Sequence, residues 1–273
     1  MAERIAARLP ASERPTLRRD PRVYAFFSRY FAYYFRRHMN ALRVARWGEP
    51  QVESGAGPIV LYATHPSWWD AAVFILLSSR HFPDHAGFAP IDAAMLQKYG
   101  FFGRIGGYGV DLDSVRGASN FLASSADILA RSDSAIWVAA QGRFTDVRQR
   151  PLGLRPGIAR LAEIAPNALF IPVAIEYGFW VERGAEAFAA YGPAIRGDEL
   201  LAMSREERRD HLEERLSVIA DRLSEDVMSR EPERFISLLE GKAGVGGVFD
   251  IWKRFKAMLR GERYDPAHGK RAP

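Results

Sequence analysis

The chain predicts an α/β fold, a mostly parallel central sheet flanked by helices with an amphipathic helix at the N-terminus. Three observations carry that expectation. Short apolar runs at 58–63 ("PIVLYA"), 134–140 ("SAIWVAA") and 168–177 ("ALFIPVAIEY") read as buried strands. Stretches of helical length separate them, and strands alternating with helices place helices on the faces of a parallel sheet. The chain has 273 residues, of which 48% are hydrophobic, enough for a large core.

Taken in order, residues 1–20 are polar, Arg-rich and broken by prolines, which predicts a flexible lead-in. Residues 23–46, "VYAFFSRYFAYYFRRHMNALRVAR", contain no Gly or Pro and predict one helix. Phe26, Phe27, Tyr30, Tyr33 and Tyr34 keep to one side of it, with Arg29, Arg36 and Arg37 flanking them. After the strand at 58–63 come a helix at 69–80, a short strand at 87–90 and a helical stretch at 91–98. The glycine-rich "GFFGRIGGYGVDLD" reads as a turn feeding an extended segment at 107–112. A helix at 114–130, the strand at 134–140, a helix at 157–164 and the strand at 168–177 follow. Ser204 and Glu207 form the S-x-x-E pattern of a capping box. Leu212, Leu216, Ile219, Leu223 and Val227 then mark one face of a long helix. A second amphipathic piece, 248–261, puts Val248, Ile251, Trp252, Phe255 and Leu259 opposite its basic residues. The expected organisation is therefore 1–46 as lead-in and interface helix, 47–240 as the α/β domain, and 241–273 as a basic amphipathic segment.

Lys plus Arg number 38 against 33 Asp plus Glu, a net charge of +5 that suits anionic lipid or acidic small molecules. The basic residues are spread among acids and no nucleic-acid recognition motif is present. The absence of cysteine excludes disulfides and thiolate metal sites. No apolar run reaches the roughly 18–20 residues of a membrane span, and the N-terminus lacks a secretory apolar core. A metal centre finds little support: His81 and His85 have i, i+4 spacing, but Pro83 between them breaks the helix such a pair would need. "GRIGGYG" lacks the G-x-G-x-x-G of a dinucleotide fold.

The chemistry concentrates at 64–70, "THPSWWD". Pro66 disfavours a helical conformation for His65, so His65 stays at the carboxyl end of its strand. In an open α/β sheet, ligands bind in the crevice beyond those ends. Asp70 then opens the next helix, within reach of the imidazole. A carboxylate on one ring nitrogen fixes the tautomer and leaves the other nitrogen as a base. No G-x-S-x-G elbow supplies a nucleophile, so the attacking group would be a substrate hydroxyl.

These motifs resemble the PlsC-like glycerolipid acyltransferases. The family carries H-x₄-D after a strand, matched by His65 and Asp70. Its E-G-T-R block corresponds to "WVAAQGRFTD", with Gln141 and Gly142 at the Glu and Gly positions and Arg143 one place early. A basic residue before a helix-opening glycine is matched by Arg155 and Gly157, and a strand with a central proline by Pro172. The similarity spans residues 58–176 with the blocks in order. It implies acyl transfer from acyl-CoA or acyl carrier protein to a lipid hydroxyl, with His65 as general base held by Asp70 and no further cofactor. It also implies substrate-binding roles for Gln141, Gly142, Arg143 and Arg155, with backbone N–H groups near Gly142 facing the thioester oxygen. Trp68 and Trp69 either line the acyl tunnel or pack in the core.

Two departures bear on the acceptor. Glu has become Gln141, and the block usually ending in arginine reads "GGYGVDLDSVRGA", with Asp111 and Asp113 where a phosphate would be repelled. A neutral glycolipid or glycosylated isoprenoid is therefore expected rather than lysophosphatidic acid. The alternatives are a 1-acylglycerol-3-phosphate acyltransferase and a non-catalytic membrane-binding module. The two aromatic and basic segments suggest a chain held at the cytoplasmic face of the inner membrane, peripheral or monotopic.

Overall fold

A computed structural model describes residues 5–6, 9–53, 55–111 and 114–241. The first elements are α1 (Pro15–Arg18), α2 (Pro21–His38), β1 (Met39–Ala45), β2 (Ile59–Ala63) and α3 (Asp70–His81). Next come β3 (Ala86–Asp92), α4 (Ala93–Lys98), α5 (Phe101–Arg104), β4 (Gly107–Val110), α6 (Val115–Leu129), β5 (Ser134–Ala139) and α7 (Gly157–Ile164). The chain continues through β6 (Leu169–Gly178), β7 (Ala185–Tyr191), β8 (Ile195–Arg196), α8 (Gly197–Leu200), α9 (Arg205–Ser229) and β9 (Phe235–Glu240). The expected segment at 248–261 lies outside the described residues.

The strands form one sheet in the order β4-β3-β5-β2-β6-β7-β1-β9, with β8 beside β6. Strands β4, β3, β5, β2 and β6 are mutually parallel, so their carboxyl ends share one edge. Alternation of side chains along the strands feeds both faces. Val60, Tyr62, Ile136 and Phe170 pack towards α6, α7 and the first half of α9, through Phe121, Leu161 and Leu216. Ile59, Leu61, Trp137 and Ile171 pack the other way, on Phe35 of α2 and on Val73, Phe74 and Leu77 of α3. The second half of α9 covers β7 through Ile219, Leu223 and Val227. The capping box at Ser204 forms as its sequence predicts, each partner closing on the other's backbone N–H. No helix among the described residues is long and apolar enough to cross a membrane.

The helix expected over 23–46 is two elements. It ends at His38, and "MNALRVA" is a fully buried strand paired parallel with β7 and antiparallel with β9. A continuous apolar pattern without Gly or Pro suits either element, and two waiting strand edges decide it. Both polar residues in this strand are buried and held by one carboxylate: Asn40 Nδ2 donates to Glu186 Oε1 at 2.6 Å, and Arg43 pairs with Glu186 Oε2. Strands β7 and β9 carry no sequence signal strong enough to have been expected. The described part of the lead-in, 9–20, is also fixed rather than flexible. Thr16 donates from backbone and hydroxyl to Asp127, and Arg19 Nε donates to the Gly87 carbonyl at 3.1 Å. Asp20 caps α2 at the Arg22 and Val23 N–H groups and pairs with Arg104 at 2.8 Å.

Two predictions test this packing. Glu186→Ala strands a buried guanidinium and a buried amide, and should cost about 3–5 kcal/mol in urea unfolding; a change within ~0.5 kcal/mol would place β1 elsewhere. Burial, reinforced by the Arg80 charge, holds the His81 imidazole down at about 4 against an ordinary 6.5. Its Nε2 is buried with no hydrogen-bond partner among the described residues, its ring 5.5 Å from that of Tyr191. The unfolded chain takes up this proton near 6.5 and the folded chain only near 4. The associated stability is complete above 6.5 and is lost as the pH falls through that window. His81→Phe should flatten this part of the acid slope of Tm; parallel slopes for the two proteins would show that His81 does not contribute.

Candidate active site

Strand β2 delivers His65 to the shared carboxyl edge, and the turn that follows is held from both sides. Thr64 continues the pairing to β6 past the end of β2. Its N–H donates to the Val173 carbonyl at 3.2 Å, and its hydroxyl donates to the Ile175 carbonyl at 3.1 Å and accepts from the Ile175 N–H at 2.8 Å. The His65 N–H donates to Gln141 Oε1 at 2.9 Å, and the His65 carbonyl accepts the Thr145 N–H at 2.9 Å. The backbone of the candidate base is thus clamped by the loop after β5.

The side chain is positioned independently. His65 Nδ1 lies 2.7 Å from Asp70 Oδ2, and Asp70 is fully buried at the first turn of α3. The Ser67 N–H donates to the same oxygen at 3.1 Å, and the Tyr177 hydroxyl donates to Oδ1 at 2.6 Å. A carboxylate only accepts, so Nδ1 carries the proton and Nε2 is the basic nitrogen left over. Burial, with the Asp70 carboxylate adding to it, pushes the Tyr177 phenol well above its ordinary range, so it remains a neutral donor. The imidazole is about a quarter exposed, its side chain at 23%. The Phe144 ring lies against it at 4.5 Å.

The other expected site residues divide. Gln141 is buried, and its amide bridges the His65 N–H and the Leu152 carbonyl, the latter at 3.0 Å from Nε2. It therefore organises the loop by bracing the backbone of His65. Gly142 has φ +67°, a left-handed conformation, and a Cβ there would come 3.1 Å from Arg155 Cγ, so this position demands glycine. The Gly142 N–H already donates to the Ala139 carbonyl at 2.9 Å, which removes it as a donor for a substrate oxygen. Arg143 and Arg155 are both exposed on this loop, with the Arg155 N–H bonded to the Ala140 carbonyl. Arg148 is paired with Asp146 at 2.7 Å. Trp68 is exposed, whereas Trp69 packs between α2 and α3 against Tyr34 and Phe35. Pro172 lies where β6 exchanges β8 for β7 as its neighbour, a break in the ladder that accommodates a missing N–H.

The far end of the loop is strapped to α9. Glu213 accepts the Gly153 and Leu154 N–H groups at 3.0 and 2.9 Å, and Arg150 pairs with Asp221. Each of the five parallel strands is followed by an exposed apolar side chain. These are Val115 after β4, Met95 after β3, Phe144 after β5, Trp68 after β2 and Phe179 after β6. Helix α2 carries Phe26, Tyr30 and Tyr33 exposed elsewhere on the surface, and its C-terminal part approaches the site through Tyr34, which packs on Trp69. Among the described residues no three metal-ligating side chains lie together.

Sequence reasoning placed His65 and Asp70 and missed Tyr177, Thr64 and Thr145. For Tyr177 the only signal was a polar-tipped aromatic late in an apolar strand, in "AIEYG". Gln141→Glu keeps the acceptor for the His65 N–H but sets a carboxylate against the Leu152 carbonyl. It should lower stability by about 1–3 kcal/mol in urea unfolding, and equal or greater stability would refute the bridging role. No family model matches this chain, and no curated protein matches it.

Proposed function

We propose that this protein is an O-acyltransferase that moves a fatty acyl group from acyl-CoA or acyl carrier protein to a lipid hydroxyl. The observation that carries the reading is a strand-end histidine, partly exposed, with Nδ1 2.7 Å from a fully buried carboxylate that accepts two further hydrogen bonds. In the reaction, Nε2 of His65 takes the proton of the acceptor hydroxyl as its oxygen attacks the thioester carbonyl. Asp70 stabilises the imidazolium that forms. Collapse of the tetrahedral intermediate expels the thiolate, which takes the proton back from His65. The thioester oxygen needs backbone donors while it is negative, and the N–H groups of Arg143 and Phe144, next after Gly142, are the nearest in sequence.

The acceptor we favour is a neutral glycolipid or a glycosylated isoprenoid. Arg148 is paired with Asp146, which leaves one fewer arginine on this loop to bind a phosphomonoester. The exposed apolar side chains beyond the strand ends, with the acid-free helix α2 (21–38), suit a protein held at the surface of an anionic membrane, on its cytoplasmic side. An acyltransferase of phospholipid synthesis is the second reading, favoured by the exposed Arg143 and Arg155 at the loop.

Incubating the purified chain with acyl-CoA or acyl carrier protein and extracted membrane lipid, followed by mass analysis, should reveal an acylated neutral glycolipid. Preference for lysophosphatidic acid would select the second reading. His65→Ala should reduce transfer by about 10²–10⁴-fold while leaving vesicle binding unchanged. Full turnover in this variant would sink the enzymatic reading.

A further inference from the structure

We propose that Tyr177 is a positioning residue for the candidate base: its hydroxyl locks the Asp70 carboxylate in the orientation that keeps the His65 proton on Nδ1. The inference rests on the acyltransferase reading for its catalytic consequence, but its structural content stands apart from that reading.

The register of the sheet brings Tyr177 to Asp70. The last paired residue of β2, Ala63, lies beside Val173, and β6 runs on for several residues beyond it. At about 3.3 Å per residue this overhang carries Tyr177 roughly 13 Å past the end of β2, beside the turn at 64–70. Strand β7 holds the overhang on its other side, with Tyr177 opposite Ala187. Alternation sends Glu176 to the α9 face, where it accepts the Ser224 hydroxyl at 2.6 Å, and sends Tyr177 towards α3 and Asp70.

The contact is specific. Tyr62 and Tyr191 are buried, and among the described residues their hydroxyls meet no hydrogen-bond partner. Tyr177 alone of these three directs its hydroxyl to a carboxylate oxygen. That oxygen, Oδ1, is the one not used by His65 or Ser67. Donors on both oxygens stop the carboxylate rotating about its Cβ–Cγ bond and hold Oδ2 in line with Nδ1. Without the phenol, Oδ1 is left buried and unpaired, and the carboxylate can turn to share Oδ2 differently. The Nδ1 proton is then held by a less well aligned acceptor, and the preference for one tautomer weakens.

The test uses the full chain labelled with ¹⁵N at histidine, the His65 signals being assigned by their loss in His65→Ala. In the native protein the His65 ring nitrogens should report one tautomer, with the proton on Nδ1. Tyr177→Phe keeps the ring and removes only the hydroxyl. It should move those shifts towards a tautomer mixture and lower kcat roughly ten- to hundred-fold with KM for both substrates nearly unchanged. Unchanged nitrogen shifts and kcat would overturn the proposal. Because Tyr177→Phe can fold poorly, a second readout uses the native chain alone. A Tyr177 hydroxyl proton held by Asp70 exchanges with water slowly enough to be observed, and free exchange would overturn the proposal. If the native chain transfers no acyl group to any acceptor, the functional reading fails while the nitrogen shifts and the hydroxyl proton still judge Tyr177. If it transfers normally and the shifts do not respond to Tyr177→Phe, only the role of Tyr177 fails.

Discussion

A single buried carboxylate organises the candidate site. Asp70 is removed from water and accepts hydrogen bonds from a strand-end imidazole, a turn N–H and a phenol on a neighbouring strand. A buried anion is tolerable only when such donors replace its hydration. The same donors fix its orientation, and through it the proton on His65. Two of the donors come from the turn after β2 and the third from the overhang of β6, so the site forms only once the turn is docked beside β6.

The second constraint acts on the backbone. Gln141 and Thr145 hold the N–H and carbonyl of His65, and Thr64 ties the residue before it to β6. The loop that supplies Gln141 and Thr145 is itself fastened to α9 through Glu213 and Asp221. The position of the base is therefore coupled to a 25-residue helix with its own capping box, packed on the sheet. Rigid support for the base contrasts with the exposed apolar side chains beyond the strand ends. In the reading proposed above, these side chains meet lipid.

Local patterns were legible where a short segment specifies its own behaviour. The strand at 58–63, the helix at 157–164 and the capping box at Ser204 fall where the apolar spacing and end signals put them. The His65–Asp70 contact was legible because both residues sit within one turn and Pro66 limits the intervening backbone. Residues 39–45 were misread as helix because an apolar run of that length is compatible with both elements, and only the edges of β7 and β9 distinguish them. The lead-in was misread because its polar residues find partners more than sixty positions away, at Gly87 and Asp127.

The sequence by itself determined an α/β sheet, the placement of a histidine at a strand end and an aspartate at the start of the following helix. These follow from periodicity, proline sterics and separations of a few residues, which the chain enforces locally. The tertiary structure alone decided that Tyr177 completes the carboxylate and that Gln141 faces inward to brace the histidine. Those contacts join residues far apart in the chain, brought together by sheet register and strand order, which no short stretch of sequence encodes.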